Sequence, residues 1–297
     1  MPTDPTWLLE HRRQHFSQSG EEGIVETILD RIGVRDRWCV EFGASDGSYL
    51  SNTRHLILSL GYSAVLIEGS AEKFERLRAR YDGTDRVTTI RGMVGFTTTD
   101  GLDSFLGRTA IPAEFDFVSI DIDGNDFHAW DATRRYRPKL VCIEFNPTIP
   151  NEVRFVQRAD PATQHGSSLS SLVELGKSKG YELVCVLPPN AFFVTREHFD
   201  RFEIADNRPE VLRRDTTDVT YIFSGYDGTV FLRGRRELPW HRAPMKESRV
   251  QHLPRLLRRY PTRYSPMRKA WLVLYWLFTD PPTFLEKLRR RVGTRSD

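Results

Sequence analysis

Val40-Glu41-Phe42-Gly43-Ala44-Ser45-Asp46-Gly47, followed further along by Leu66-Ile67-Glu68, is the stretch whose reading decides the fold of this chain. It reads as a buried strand broken at glycines, then a helix, then a second strand that ends on a carboxylate. That order builds a nucleotide-type ligand site at the carboxyl edge of a parallel sheet. Glycines let a backbone approach a ligand closely. A carboxylate at the second strand end can accept hydrogen bonds from both hydroxyls of a ribose.

Strand and helix patterns alternate outward from this stretch. Ser19-Gly20-Glu21-Glu22-Gly23 leads into an amphipathic run over 24–32, with acids in the first turn as the helix dipole favours. Strand-like runs follow at 38–43, 63–68, 86–91, 115–121, 139–145, 181–187 and 191–195. Helical patterns at 50–60, 71–81, 100–107 and 126–135 separate the first five, and another at 167–179 ends before Gly180, a natural stop. Five strands with intervening helices predict right-handed crossovers and a parallel sheet. The last two strands are joined only by Pro188-Pro189-Asn190, too short for a crossover, so they pair as an antiparallel hairpin. The expectation is an α/β fold: a doubly wound, mostly parallel, seven-stranded sheet with a reversed last strand.

Composition fits a globular enzyme, with 39% hydrophobic and 28% charged residues in 297. Cys39, Cys142 and Cys185 each lie inside an apolar run, which suits core positions in a reducing, cytoplasmic compartment better than disulfides or a metal cluster. The N-terminus has no apolar stretch of signal-peptide length, which argues against secretion. Charge is uneven. Residues 246–297 hold thirteen Lys or Arg against four acids, so the remainder is mildly acidic although the whole chain is +3. The division expected from this is a domain over 1–224 and a basic, aromatic-rich, helical extension over 225–297.

Glu41-x-Gly43-Ala44-x-x-Gly47, the strand-end acid Glu68 and the reversed last strand resemble the class I S-adenosylmethionine-dependent methyltransferases. The closer resemblance is to the FkbM-type methyltransferases, many of which act on hydroxyl groups. Ser17-Gln18-Ser19-Gly20-Glu21-Glu22, Ser51-Asn52-Thr53, Asp121-Ile122-Asp123-Gly124-Asn125-Asp126 and Gly180-Tyr181-Glu182-Leu183-Val184 carry it, as does Asn190-Ala191-Phe192-Phe193-Val194. The family commonly has Asp-x-Glu-Gly where this chain has Asp121-Ile122-Asp123-Gly124, so Asp123 reaches one methylene less far. The resemblance implies that Glu68 holds the ribose of S-adenosylmethionine and that Gly43, Ala44 and Gly47 turn backbone N–H groups toward it. It places Glu41 near the methionine amino group, directly or through water. Gln18 and the residues around Gly92 complete the cofactor lining.

A second cluster is acidic: Asp121, Asp123 and Asp126 after the fourth strand, with Glu144 and Asn146 ending the fifth. Adjacent parallel strands bring these ends side by side. One carboxylate can serve as general base for an acceptor hydroxyl, with Asp121 or Asp123 in that role and Asp121 also facing the cofactor. Alternatively Asp121, Asp123 and Glu144 hold Mg²⁺, a reading ranked second because no ligand spacing is diagnostic. Asp123-Gly124-Asn125-Asp126 also suits a plain turn and helix cap. Glu144 and Asn146 are candidates for acceptor contacts. His128 and His165 are further candidate bases, His165 the better placed because it lies on the long loop 146–166, which is long enough to lid the acceptor site.

In the extension, Ala270-Trp271-Leu272-Val273-Leu274-Tyr275-Trp276-Leu277-Phe278 is apolar on all sides and too short to span a bilayer. Packing on the domain or on a second subunit is the first expectation for it. Peripheral membrane contact beside basic residues is the second. No nucleic-acid-binding motif accompanies the basic tail. These readings converge on an S-adenosylmethionine-dependent O-methyltransferase acting on a hydroxyl of a sugar, glycan or glycolipid. The alternatives are an NAD(P)-binding oxidoreductase, against which Ala44-Ser45-Asp46 breaks the usual Gly-x-Gly-x-x-Gly, and a non-catalytic, membrane-associated scaffold of the same fold.

Overall fold

The computed structural model of the chain describes residues 4–282 and 284–286. Two units divide it, one over 1–216 and a second over 217–297. The first holds β1 (Trp38–Phe42), β2 (Ser63–Glu68), β3 (Val87–Arg91), β4 (Phe117–Ile120), β5 (Leu140–Glu144), β6 (Tyr181–Leu187) and β7 (Asn190–Thr195) in one sheet, ordered β3-β2-β1-β4-β5-β7-β6. β1 to β5 run parallel, and β7 runs antiparallel to both β5 and β6. This is the doubly wound, Rossmann-like sheet with a reversed last strand that the alternation predicts.

The central strands are apolar throughout because layers cover both faces. Leu140, Val141, Cys142 and Ile143 of β5 are fully buried, each of the larger ones contributing about 1.5–3 kcal/mol relative to exposure. The helices are α1 (Glu21–Ile32), α2 (Arg54–Leu60), α3 (Ala71–Arg80), α4 (Leu102–Leu106), α5 (Asp126–Ala132) and α6 (Leu169–Ser178), with α7 (Arg196–Phe199) and α8 (Pro209–Leu212) after the sheet. Trp130 of α5 stacks obliquely on Phe193 of β7, their ring centres 5.1 Å apart. Gly176 of α6 sits where a Cβ would come within about 3 Å of both rings.

Of the helices shorter than their patterns predict, α2 and α5 have clear local reasons. α2 begins at Arg54 rather than near 50 because residues 51–53 spend their donors on the Glu41 carboxylate. α5 stops at Ala132 because the N–H groups of Arg134 and Arg135 donate to Asp103 Oδ2 at 2.8 and 2.9 Å instead of continuing the helix.

The second unit opens with a hairpin of β8 (Thr220–Ser224) and β9 (Val230–Gly234), antiparallel around a turn in which Asp227 accepts from the N–H and hydroxyl of Thr229. The unit therefore starts upstream of the boundary expected after 224, since β8 has β9 as its partner and not the large sheet. β10 (Glu237–Leu238) and β11 (Ala243–Pro244) form a short ribbon, and α9 (Pro266–Thr279) is capped by the Ser265 hydroxyl. No residue of α9 is buried among the described residues. Lys287, Arg289, Arg290, Arg291 and Arg295 lie outside the described residues.

Candidate active site

Four carboxylates mark the strand ends at the carboxyl edge: Glu41 on β1, Glu68 ending β2, Asp121 just after β4 and Glu144 ending β5. On the β1–β2 side, Glu68 is almost wholly buried. It accepts from the Ser45 N–H at Oε2 (2.7 Å) and from the Ser70 N–H at Oε1 (2.6 Å). The carboxylate is thereby fixed in place, while each oxygen keeps a lone pair for a ligand hydroxyl. The turn after β1 bends back onto it. Gly43, Ser45 and Gly47 all take positive φ.

The N–H groups of this turn are not the open donors the sequence suggests. Gly43 and Ala44 donate to the Ile67 carbonyl, both at 3.1 Å, and Gly47 donates to the Ala44 carbonyl at 2.8 Å. The glycines have packing reasons of their own. A Cβ on Gly43 would lie 1.7 Å from the Asp121 carbonyl oxygen, and one on Gly47 would strike Leu77 and Tyr81. Gly43 thus butts the β1 turn directly against the end of β4.

Glu41 points inward. Its carboxylate accepts from the hydroxyls of Ser51 and Thr53 at 2.7 and 2.6 Å and from the Asn52 N–H at 2.8 Å. Burial raises its pKa, and these donors offset part of the rise. It therefore shapes the chain after the turn, and Asn52 in turn donates to Ser119 on β4 at 3.0 Å.

Following β3, the Gly92 N–H donates to the Glu68 carbonyl at 3.0 Å. Met93 is three-quarters exposed and lies over Gly69, where a Cβ would meet its sulfur at 2.0 Å. Gly69 was not singled out in the sequence, although a glycine directly after a strand-end acid is the signal that might have exposed it.

On the β4–β5 side the carboxylates face each other. Ligand oxygens of Asp121, Asp123 and Glu144 fall within 4.8 Å of one another, Asp121 and Asp123 open to solvent and Glu144 half-buried. The Asp121 and Glu144 carboxyls are close enough to hydrogen-bond when one of them is protonated. Although Asp121 keeps an edge in solvent, desolvation by the protein packed around its carboxyl, with the charges of Asp126 and Asp123, pushes it up to about 7. Burial and the Asp121 charge push Glu144 up to about 10. Two carboxylates this close hold a proton between them at neutral pH and titrate as a pair.

Asp123 sits at φ +57, a conformation Asp tolerates. The adjacent Asp126 does the work of the turn: it is buried and accepts from the Ile122 and Gly124 N–H groups, both at 2.9 Å. Asn125 heads α5 without a side-chain cap and instead donates to the carbonyls of Asp160 and Thr163. The oxygen-only donor set suits Mg²⁺ in type, but an ion there would have to displace the proton the pair holds.

The N-terminal segment reaches the same edge. Glu144 and Asn190 are register partners across β5 and β7; Asn190 donates to Glu21 Oε1 at 3.1 Å, and the Ser19 N–H donates to Glu21 Oε2 at 2.7 Å. Glu22, also buried, gathers the N–H of Ser17 at 2.8 Å and its hydroxyl. Gln18 stands exposed between these anchors.

Loop 146–166 is tied down by its main chain. Asn146 donates to the His165 carbonyl at 2.7 Å and accepts from Thr148, so its amide is spent on the loop. The His165 N–H donates to Gln157 at 2.8 Å, and its backbone rather than its imidazole ties it to the site. His128 bonds the Gln157 carbonyl at 2.8 Å. Gln157 is the organiser sequence reading missed: 2% exposed, it also accepts from the Gly166 N–H and donates to the Thr163 carbonyl. Buried Arg213 clamps the other end of the loop through the carbonyls of Pro147 and Ile149. Neither had a pattern in sequence that distinguishes it from an ordinary polar residue.

No protein-family model matches the chain, and no curated protein matches it. Among solved structures it is similar to the N-terminal domain of EvdMO1 with SAH bound, at 14% identity over 62% of this chain and 80% of that one, with a TM-score of 0.40. It is similar also to the glycopeptide N-methyltransferase MtfA complexed with S-adenosyl-L-methionine, at 15% identity over 61% of this chain and 96% of that one (TM-score 0.36). A third is a precorrin-6y C5,15-methyltransferase from Geobacter metallireducens, at 16% identity over 62% and 90% of the two chains (TM-score 0.36).

Proposed function

We propose that this chain is an S-adenosylmethionine-dependent O-methyltransferase whose acceptor is a hydroxyl of a sugar, glycan or glycolipid. The observation that carries the reading is the abutment of two unlike sites at one sheet edge. A fixed carboxylate, Glu68, stands beside the β1 turn, and Gly43 presses that turn against Asp121, whose carboxylate lies within 4.8 Å of those of Asp123 and Glu144. The first site suits a ribose; the second suits an alcohol that must lose a proton.

Glu68 holds the ribose hydroxyls with the lone pairs its two N–H donors leave free. Met93 over Gly69 walls the neighbouring space, and Gln18 lines the approach from the N-terminal segment. When bound, the sulfonium supplies an electrophilic methyl group. Asp121, with a pKa near neutrality, is matched to the task of accepting the acceptor hydroxyl's proton. Glu144, protonated, steadies the Asp121 carboxylate by donating to it, and Asp123 and loop 146–166 bound the acceptor side. Positioning by these fixed groups supplies much of the acceleration in an in-line displacement. The three cysteines are buried and unpaired, which supports a reducing, cytoplasmic setting.

The test is calorimetric titration of the purified chain with S-adenosylmethionine and with NADH, followed by transfer of labelled methyl to a crude glycan and lipid extract. Binding of the first ligand alone and label in a glycan or glycolipid fraction are the expected results. NADH binding in its place makes the chain an oxidoreductase, and S-adenosylmethionine binding with no labelled product in any extract makes it a scaffold.

A further inference from the structure

From Ser248 to Thr279 the second unit carries seven Lys or Arg and no Asp or Glu. Five of the seven precede α9, and Arg268 and Lys269 fall in its first turn. There the helix dipole disfavours cations, so they oppose the helix's own electrostatics. The rest of the helix is apolar on every side, yet none of its residues is buried: Trp271 is 52% exposed and Phe278 80%. The Tyr275 hydroxyl donates to the His252 carbonyl, tying the aromatic helix to the basic segment before it.

A helix apolar all round belongs in a core or in lipid. This one has fourteen residues, a length of about 21 Å at 1.5 Å per residue, short of the roughly 30 Å hydrocarbon layer. No helix among the described residues is long and apolar enough to cross a membrane. A second copy packed on this face by two-fold symmetry would bring the same cationic segment against itself. An anionic bilayer surface answers both the apolar side chains and the uncompensated charge.

We propose that α9 and the segment before it form an interfacial anchor for anionic membrane, with Trp271 and Phe278 entering the headgroup–acyl boundary and Arg255, Arg259, Arg263 and Lys269 meeting lipid anions. The full chain should sediment with phosphatidylcholine vesicles containing phosphatidylglycerol and not with phosphatidylcholine alone, and raised salt should release it. Trp271→Ser with Phe278→Ser should weaken binding on the order of 100-fold through lost apolar insertion. Arg259→Gln with Lys269→Gln should weaken it on the order of tenfold or more. All four side chains are exposed, so an unchanged unfolding midpoint identifies a folded variant. Equal partition onto neutral vesicles, no partition at all, or unaltered binding in both folded variants would overturn the proposal, as would a dimer that the Trp271→Ser change disperses. Vesicle binding is measured without methyl donor, so its failure leaves the methyl-transfer reading standing.

Discussion

Glu41 and Glu68 on one side of the sheet edge and Asp121 and Glu144 on the other are the same chemistry under opposite conditions. The first pair is met by donors: every oxygen of Glu41 and Glu68 receives an N–H or O–H bond. The second pair is desolvated by the surrounding protein and crowded by the charges of Asp126 and Asp123, and Asp121 also bears on Glu144. Donors fix a carboxylate in place and offset part of the burial that raises its pKa, whereas neighbouring carboxylates add to that rise. Residue type and strand-end position do not separate these roles; the surrounding groups do.

The sharpest way to break the contrast is Glu68→Ala. It removes both the ribose acceptor and the tether on the β1 turn, so S-adenosylmethionine affinity should fall at least ~100-fold, the scale of a buried charge-assisted contact. Normal calorimetric affinity in that variant would sink the assignment. Asp121→Asn should lower turnover by about 10²–10⁴, the usual contribution of a positioned base, with cofactor affinity within a few-fold of the parent. If the two fall together, Asp121 belongs to the cofactor site instead.

The pH profile sharpens the same point. Asp121 must be ionised to accept a proton, so kcat/KM should rise with pH through about 7 and level above it. Glu144→Gln, whose amide still donates, should leave that inflection near neutrality, and EDTA should leave the rate unchanged. An inflection back in the ordinary carboxylate range, or loss of activity with chelation, would turn the pair into metal ligands.

Stability gives the smallest and most symmetrical test. Glu144 has its pKa raised by folding, so it favours the fold at low pH and loses that contribution as pH rises toward about 10. Glu144→Gln should therefore raise the unfolding midpoint at alkaline pH, about 1 kcal/mol or roughly 2–4 °C for a unit of this size. Glu41→Gln replaces one of the two accepting oxygens with an NH2, leaving at least one of the three buried donors unmatched, and should lower the midpoint at neutral pH by about 1–3 kcal/mol. Shifts of the same sign in both would erase the distinction between the two pairs.

Much of the fold was legible because strands and helices print different periods, and because Pro188-Pro189-Asn190 leaves too little chain for a crossover. Strand ends were legible for the same reason, which is why Glu68, Asp121 and Glu144 could be named. What each strand end bonds to was not, since that depends on partners distant in sequence. Gly43 looked like an opening toward a ligand and is also a contact with Asp121. Asn146 looked like an acceptor contact and is spent on His165. Gln157 and Arg213 carry no sequence mark because an amide or a guanidinium becomes an organiser only when a loop closes on it. The hairpin of β8 and β9 was divided at Ser224 because its turn was visible and its pairing was not.

The contact between Gly43 and the Asp121 carbonyl has a consequence for anyone who would re-engineer the chain. If the β1 turn binds the methyl donor and Asp121 takes the proton, as proposed, the two parts meet with no room for even one side-chain atom between them. A larger donor cannot be accommodated by widening the β1 turn alone, because the turn has nowhere to retreat except into β4. On that proposed reading, widening the turn would move Asp121 as well, so changes of donor and of working pH would be coupled through this one contact.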